Sequence, residues 1–343
     1  MESQKQNLIE VLVTVPFSEQ QITELREVSP RLRLLAQPMR KAEDISNDVW
    51  SRTEVLYTDR ILPTPEQAPN LRWLQFHYAG IDAVLDAPIL RKKDLMITTL
   101  SGAAAPQTAE YVVMMLLALG HRLIEMSQAQ ARADWPRDRM ERFRPQELRG
   151  STVGIVGYGS VGREIARLMR AFGATVLAVK RDVMHPEDSG FYLPGLGDPG
   201  GDLFHRLYPP QALRSMLKEC DFVVVNLPLT PETRGMIGAG ELAAMKTSAY
   251  FVQVGRGQVV DQAALVSALQ ERRIAGAALD VFQEEPLPTN HPLWKLNNVL
   301  LTPHIAGASA HYNERAVQVF FENLKRYLSG APLLNRFDLE KGY

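Results

Sequence analysis

The chain has 343 residues, 45% apolar and 22% charged, with a formal net charge of −1 and a pI near 6.7. That length favours two domains over one core, and the near-neutral balance leaves no electrostatic footprint for nucleic acid or an anionic membrane. The longest unbroken apolar run, 111–119, is too short to span a bilayer, and the opening MESQKQN lacks the apolar stretch of a signal peptide. Cys220 is the only cysteine, which excludes an internal disulfide and a cysteine-based zinc cluster. A cytoplasmic location is expected, with no metal, no nucleic acid and no membrane among the partners.

Short runs rich in β-branched residues alternate with helical patterns along the whole chain, the signature of parallel sheets covered by helices. The first series of strand candidates is IEVLVTV (9–15), RLRLLA (31–36), EVLYT (54–58), LRWLQFH (71–77) and LMITTL (95–100). A long helix is predicted from about Pro106, and its segment AEYVVMMLLALGHRL is apolar enough to predict burial all round. After RPQELRG a second series starts at Thr152: TVGIV, ATVLAV, DFVVVNL, AYFVQV, AGAALDV and NVLLTP. Residues 308–330 read as a closing helix, stopped at Ser329-Gly330-Ala331-Pro332. The stretch 186–210 is dense in Gly, Pro and Asp, with Phe, Tyr and Leu interspersed, and reads as a packed surface loop.

GYGSVG, the residues Gly157, Tyr158, Gly159, Ser160, Val161 and Gly162, follows TVGIV directly and opens a helical pattern. A bare G-x-G-x-x-G says little, but between a strand and a helix it is a dinucleotide-binding turn. Gly157 permits the tight turn, Gly159 lets backbone approach a pyrophosphate, and Gly162 permits close packing of helix on strand. The helix N-terminus then holds the anion. An acidic residue at the end of the next strand would take the ribose hydroxyls of NAD. Instead Lys180 and Arg181 stand there, two cations suited to a 2′-phosphate, so NADP(H) is the preferred cofactor. NAD(H) is the alternative, through Asp182 if the strand end is bulged.

Parallel sheets bind ligands at the carboxyl ends of their strands. AYFVQV is followed by Gly255-Arg256-Gly257, AGAALDV delivers Asp280 with Glu285 beyond it, and NVLLTP is followed by His304. Reducing a 2-keto acid needs a cation for the carboxylate, an acid for the carbonyl oxygen and a hydride aimed at the carbonyl carbon. Arg256 has the planar fork for the first. His304 can give or take a proton near neutrality, and a neighbouring Glu285 would favour the imidazolium and fix the ring. These three are the expected catalytic residues, with the hydride supplied by the cofactor.

These segments resemble the D-isomer-specific 2-hydroxyacid dehydrogenases, a family that includes glyoxylate/hydroxypyruvate reductases. The resemblance is densest in GYGSVG, NLPLTPETRGMIG (226–238), VGRGQVVDQAAL (254–265), ALDVFQEEPLP (278–288) and LLTPHIAG (300–307). It implies catalytic roles for Arg256, Glu285 and His304. It also implies that Asp280 holds the nicotinamide carboxamide and that Asn226, Pro228, Thr233, Val254 and His304 contact the cofactor. By the same resemblance HYAGID (77–82) is the loop whose Ala79 and Gly80 amides bind the substrate carboxylate, alongside Arg256. The implied fold is α/β with two doubly wound parallel-sheet domains. A Rossmann cofactor domain (103–307) is inserted into a flavodoxin-like substrate domain (1–102 plus 308–343). A homodimer is implied as well. The chain departs from the family at Gln253, where asparagine is usual, at Lys180, and in the length of the 186–210 stretch. The expected function is hydride transfer between NAD(P)H and a small 2-keto acid to give a D-2-hydroxy acid. Two alternatives stay open: a nicotinamide-sensing corepressor or binding module without turnover, and a dehydrogenase of another small anion such as phosphite or formate.

Overall fold

A computed structural model describes residues 8–343 as two compact units, one built from the residues up to Ala103 together with Ser309–Tyr343, the other from Ala104–Ala308. The first unit carries β1 (Ile9–Val13), β2 (Leu32–Ala36), β3 (Val55–Thr58), β4 (Trp73–Phe76) and β5 (Met96–Thr98). All pairings are parallel and the strand order is β2-β1-β3-β4-β5. This is the flavodoxin-like order, with its switch point between β1 and β3. There Thr14 and Thr58, just past the paired residues, join their hydroxyls at 2.8 Å. The helices are α1 (Glu19–Arg26), α2 (Asn47–Arg52) and, from the second segment, α10 (Tyr312–Ser329). Serines cap α1 and α2, and Gly330, at φ +71°, ends α10 where the sequence predicted its stop.

The second unit begins with α3 (Ala105–Gly120), α4 (Leu123–Ala131) and α5 (Arg139–Arg142). The remaining elements are β6 (Thr152–Val156), α6 (Ser160–Ala171), β7 (Thr175–Val179), β8 (Arg206–Tyr208), α7 (Leu213–Leu217), β9 (Phe222–Val225), α8 (Ala239–Ala244), β10 (Tyr250–Gln253), α9 (Gln262–Gln270), β11 (Gly276–Leu279) and β12 (Val299–Leu301). The seven strands are parallel in the order β12-β11-β10-β9-β6-β7-β8. Continuous apolar runs form these strands because both faces are covered. In β9, Val223 and Val225 enter one core while Phe222 and Val224 enter the other, and none of the four is exposed.

Two local expectations change. The apolar segment after Pro106 is not one helix buried all round. α3 stops at Gly120, where an added Cβ would lie 2.6 Å from the Gln146 carbonyl, and Arg122 turns the chain at φ +55° before α4. Met114 and Leu123 are about half exposed. The second change is β8, an edge strand inside the stretch read as loop. Its three residues, flanked by Pro209 and Pro210, are too few to show an alternating pattern.

Behind β4, His77 is buried among Phe17, Tyr57, Tyr78 and Tyr312, and its Nδ1 meets the Tyr57 hydroxyl at 2.8 Å. Tyr312 donates to the His77 carbonyl at 2.8 Å, which ties α10 to the 77–82 loop. Burial lowers the His77 pKa from 6.5 to about 4. Between those values the unfolded chain binds the extra proton, so His77 draws stability down as pH falls from 6.5 towards 4. Thermal unfolding of the first unit at pH 7 and pH 4.5 checks this on the order of one proton taken up; His77→Asn should reduce the pH dependence, and an unchanged dependence contradicts the assignment.

Candidate active site

With every strand of the second unit parallel, the loops after β6, β7, β9, β10, β11 and β12 leave from one edge. The order reverses between β6 and β9, the switch point at which such sheets bind ligands. The turn after β6 lies against the loop after β9: Gly157 has φ +110°, and a Cβ there would meet the Asn226 carbonyl oxygen at 2.4 Å. A Cβ on Gly162 would lie 2.1 Å from the Gly157 carbonyl, whereas one on Gly159 would meet no protein atom within 4 Å. Gly157 and Gly162 are therefore required by backbone contacts, while Gly159 keeps the face of the turn open to a ligand. Ser160 and Val161 open α6, whose first amides point out of the turn. These features fit a dinucleotide pyrophosphate.

At the end of β7 the Lys180 ammonium donates to the carbonyls of Asp182 (3.1 Å) and His185 (2.6 Å). Asp182 is occupied by its own turn: Oδ1 accepts from the Met184 and His185 amides, and Oδ2 pairs with His185 Nδ1 at 2.7 Å. That pairing lowers the Asp182 pKa and raises that of His185. Arg181 is exposed; in the loop after β9 the Glu232 pKa is lowered first by a hydrogen bond from Thr230, and the Arg181 charge adds in the same direction. In that loop Thr233 donates to the Pro228 carbonyl at 2.7 Å and caps the Thr230 amide at 2.8 Å, while the Val254 amide after β10 bonds the Val225 carbonyl.

Arg256 follows β10 between two glycines pressed against neighbouring backbone. A Cβ on Gly255 would lie 2.5 Å from the Leu227 carbonyl oxygen, and one on Gly257 would lie 1.8 Å from that of Phe282. Buried Gln253 donates its amide to the Arg256 carbonyl at 3.0 Å, so the residue that departs from the family pattern holds the arginine loop.

His304 Nδ1 and Glu285 Oε2 are 2.7 Å apart, and Glu285 Oε1 accepts the Phe282 amide at 2.9 Å. With Nδ1 turned to a carboxylate, Nε2 is the ring atom left for proton exchange with a ligand. His304 has the left-handed φ of +54°, which is uncommon outside glycine. Asp280 holds that turn. Its carbonyl accepts the His304 amide at 2.9 Å, Oδ1 takes the Thr302 hydroxyl and the Ile305 amide, and Oδ2 takes the Ala306 amide. Tyr111 of α3 meets the Thr302 hydroxyl at 2.6 Å, and burial pushes its phenol up to about 12. Thr302 and Tyr111 were not singled out in the sequence. Threonine in LLTPH was visible there, but a tyrosine in an apolar helix reads as core.

In the first unit, Ala79 and Gly80 are exposed in the loop after β4. Among the described residues their amides donate to no other group of the chain. No group of histidine, cysteine and carboxylate side chains that could hold a metal occurs among the described residues, and none of their helices is long and apolar enough to cross a membrane.

Comparison with known proteins agrees with this architecture. Residues 113–306 match the family described as D-isomer specific 2-hydroxyacid dehydrogenase, NAD binding domain. The chain is 35% identical to a glyoxylate reductase of Thermofilum pendens over 80% of its length and 77% of the relative's. It is 36% identical to one of Aeropyrum pernix over 80% and 79%. Among solved structures it is similar to a D-isomer specific 2-hydroxyacid dehydrogenase of Xanthobacter autotrophicus Py2, determined in complex with NADPH and MES. The TM-score is 0.79 at 29% identity, covering 98% of this chain and all of the other. With its switch-point glycine turn and two parallel-sheet units, this chain belongs to the D-isomer-specific 2-hydroxyacid dehydrogenase family.

Proposed function

We propose that this protein is an NADPH-dependent reductase of small 2-keto acids of the glyoxylate/hydroxypyruvate type, producing D-2-hydroxy acids. The observation that carries the reading is the Glu285–His304 pair at 2.7 Å on the sheet edge that also bears Arg256 and the glycine turn. Its support from relatives is the glyoxylate reductases of Thermofilum pendens and Aeropyrum pernix.

Arg256 takes the substrate carboxylate through its guanidinium fork. The amides of Ala79 and Gly80 have the chemistry to bind a carboxylate too. His304 gives its Nε2 proton to the keto oxygen, while Glu285 keeps the ring oriented through Nδ1. A bound nicotinamide supplies the hydride to the carbonyl carbon. Asp280 Oδ2, with one amide donor, retains acceptor capacity for the carboxamide. Asn226, Pro228, Thr233 and Val254, after β9 and β10, would hold the cofactor along the same edge.

The NADPH preference is supported by the occupation of Asp182 within its own turn, which removes the carboxylate a ribose diol would use. The Xanthobacter relative was determined with NADPH. Arg181 is assigned the direct contact with the 2′-phosphate, and Lys180 orders the turn and adds positive charge. Exposed Met114, Leu123, Met126, Trp135 and Met140 along α3–α5 support a homodimer, and a lone buried Cys220 suits a reducing cytoplasm.

Initial rates of NADPH and NADH oxidation with glyoxylate, hydroxypyruvate, pyruvate and phenylpyruvate test the reading. NADPH with glyoxylate or hydroxypyruvate should give the highest kcat/KM. Preference for NADH overturns the cofactor assignment alone. No turnover with any pair, while NADPH binds, favours a binding module. Arg181→Ala should raise the KM for NADPH by roughly tenfold, the worth of a charge-assisted contact, and leave that for NADH nearly unchanged.

A further inference from the structure

The most heavily built polar feature of the second unit outside the Arg256–Glu285–His304 edge lies where residues 186–205 meet the start of α6. Arg163 is only 2% exposed. Its guanidinium donates to the carbonyls of Asp198 (2.6 Å) and Pro186 (2.5 Å), faces the Asp188 carboxylate at 3.6 Å, and lies 4.9 Å over the Tyr158 ring. Among the described residues its buried Nε has no hydrogen-bond partner. Tyr158 donates its hydroxyl to Asp198 Oδ2 at 2.6 Å. The same carboxylate gathers the amides of Gly201, Asp202 and Leu203. A Cβ on Gly201 would lie 2.4 Å from the Pro186 carbonyl oxygen, so the segment closes tightly on itself above Arg163.

Burying a guanidinium is costly unless its donors are met, and a surface loop can be attached by apolar contacts alone. Here Leu203 and Phe204 do pack on the core, but the attachment is also polar, and its polar partners are Tyr158, inside the glycine turn, and Arg163, directly after Gly162. The next residue, Glu164, accepts the Gly197 amide at 2.6 Å. A displacement of the segment therefore displaces the turn whose amides face the anion.

We propose that residues 186–205 are a clamp that holds the dinucleotide-binding turn in its binding geometry, with Tyr158, Arg163 and Asp198 as positioning residues for the cofactor. The proposal rests on reading 157–162 as the pyrophosphate site. Because the pyrophosphate is common to both nicotinamide dinucleotides, the clamp acts on both equally, unlike Arg181. Binding and clamping are reciprocal, so the cofactor in turn steadies the segment.

The test is the dissociation constant of NADPH and of NADH, from nicotinamide fluorescence titration of the full chain, for Tyr158→Phe and Asp198→Asn. Limited proteolysis within 186–205, with and without NADPH, is run beside it. Tyr158→Phe, which loses one buried hydrogen bond, should weaken both cofactors by a similar factor of about fivefold, and Asp198→Asn, which loses an oxygen that accepts two, by at least as much. NADPH should protect the segment strongly in the parent chain and weakly in the variants. Lower thermal stability with unchanged dissociation constants overturns the clamp and leaves the segment as packing. Should Asp198→Asn fail to fold, Tyr158→Phe, which removes one oxygen and keeps the ring, decides alone. A parent chain that binds neither cofactor overturns the reading of the turn, and the clamp with it; parent binding with unaltered variants overturns the clamp only.

Discussion

The arrangement of the candidate site depends on the buried carboxylate of Asp280. Three donors converge on it, the Thr302 hydroxyl and the amides of Ile305 and Ala306, and its backbone carbonyl takes a fourth from His304. A left-handed histidine costs about 1 kcal/mol, and each hydrogen bond to a carboxylate contributes at least about 1.5 kcal/mol, so the network outweighs the strain it holds. The consequence is directional. With φ at +54° the imidazole meets Glu285 across the loop, and one ring nitrogen is fixed while the other is left for chemistry.

The parallel topology makes that local device useful. A residue placed just beyond any strand of a parallel sheet reaches the same edge, so Arg256 after β10, Asp280 after β11 and His304 after β12 are neighbours despite their separation in the chain. The glycines that flank these positions let loops pack backbone to backbone. The closest contact a Cβ would make at each of Gly157, Gly255 and Gly257, below 2.6 Å in every case, shows how little space separates them. Gln253 belongs to the same design, since its longer side chain reaches the Arg256 and Gly257 carbonyls from inside the sheet.

Both sheets and the glycine turn were legible in the sequence because their signals are local: a β-branched run, a glycine spacing, a helix stop at Gly330. TVGIV coincides with β6, while the other strand candidates overran the strands by one to three positions, since β-branched residues such as Thr14 and Val15 continue past the last ladder bond. Of the contacts among polar residues at the edge, the pairing of Glu285 with His304 was expected and the others were not. Nothing local announces that Asp182 turns onto His185, that Lys180 serves its own turn, or that Tyr111 reaches Thr302 across the chain. The 186–210 stretch was the least legible. Its composition is that of a loop, and its order comes from Asp198 and Arg163, whose partnership requires the fold.

If the Asp280 network fixes His304 for proton transfer, removing one of its donors must slow the reaction. The direct measurement is the single-turnover rate of NADPH oxidation by glyoxylate in Thr302→Val, which removes one hydroxyl from the network and touches neither Glu285 nor Arg256. The rate should fall at least about tenfold, as when a catalytic group loses its supporting contacts, with NADPH affinity close to the parent's. A parental rate would contradict it and place the control of His304 elsewhere.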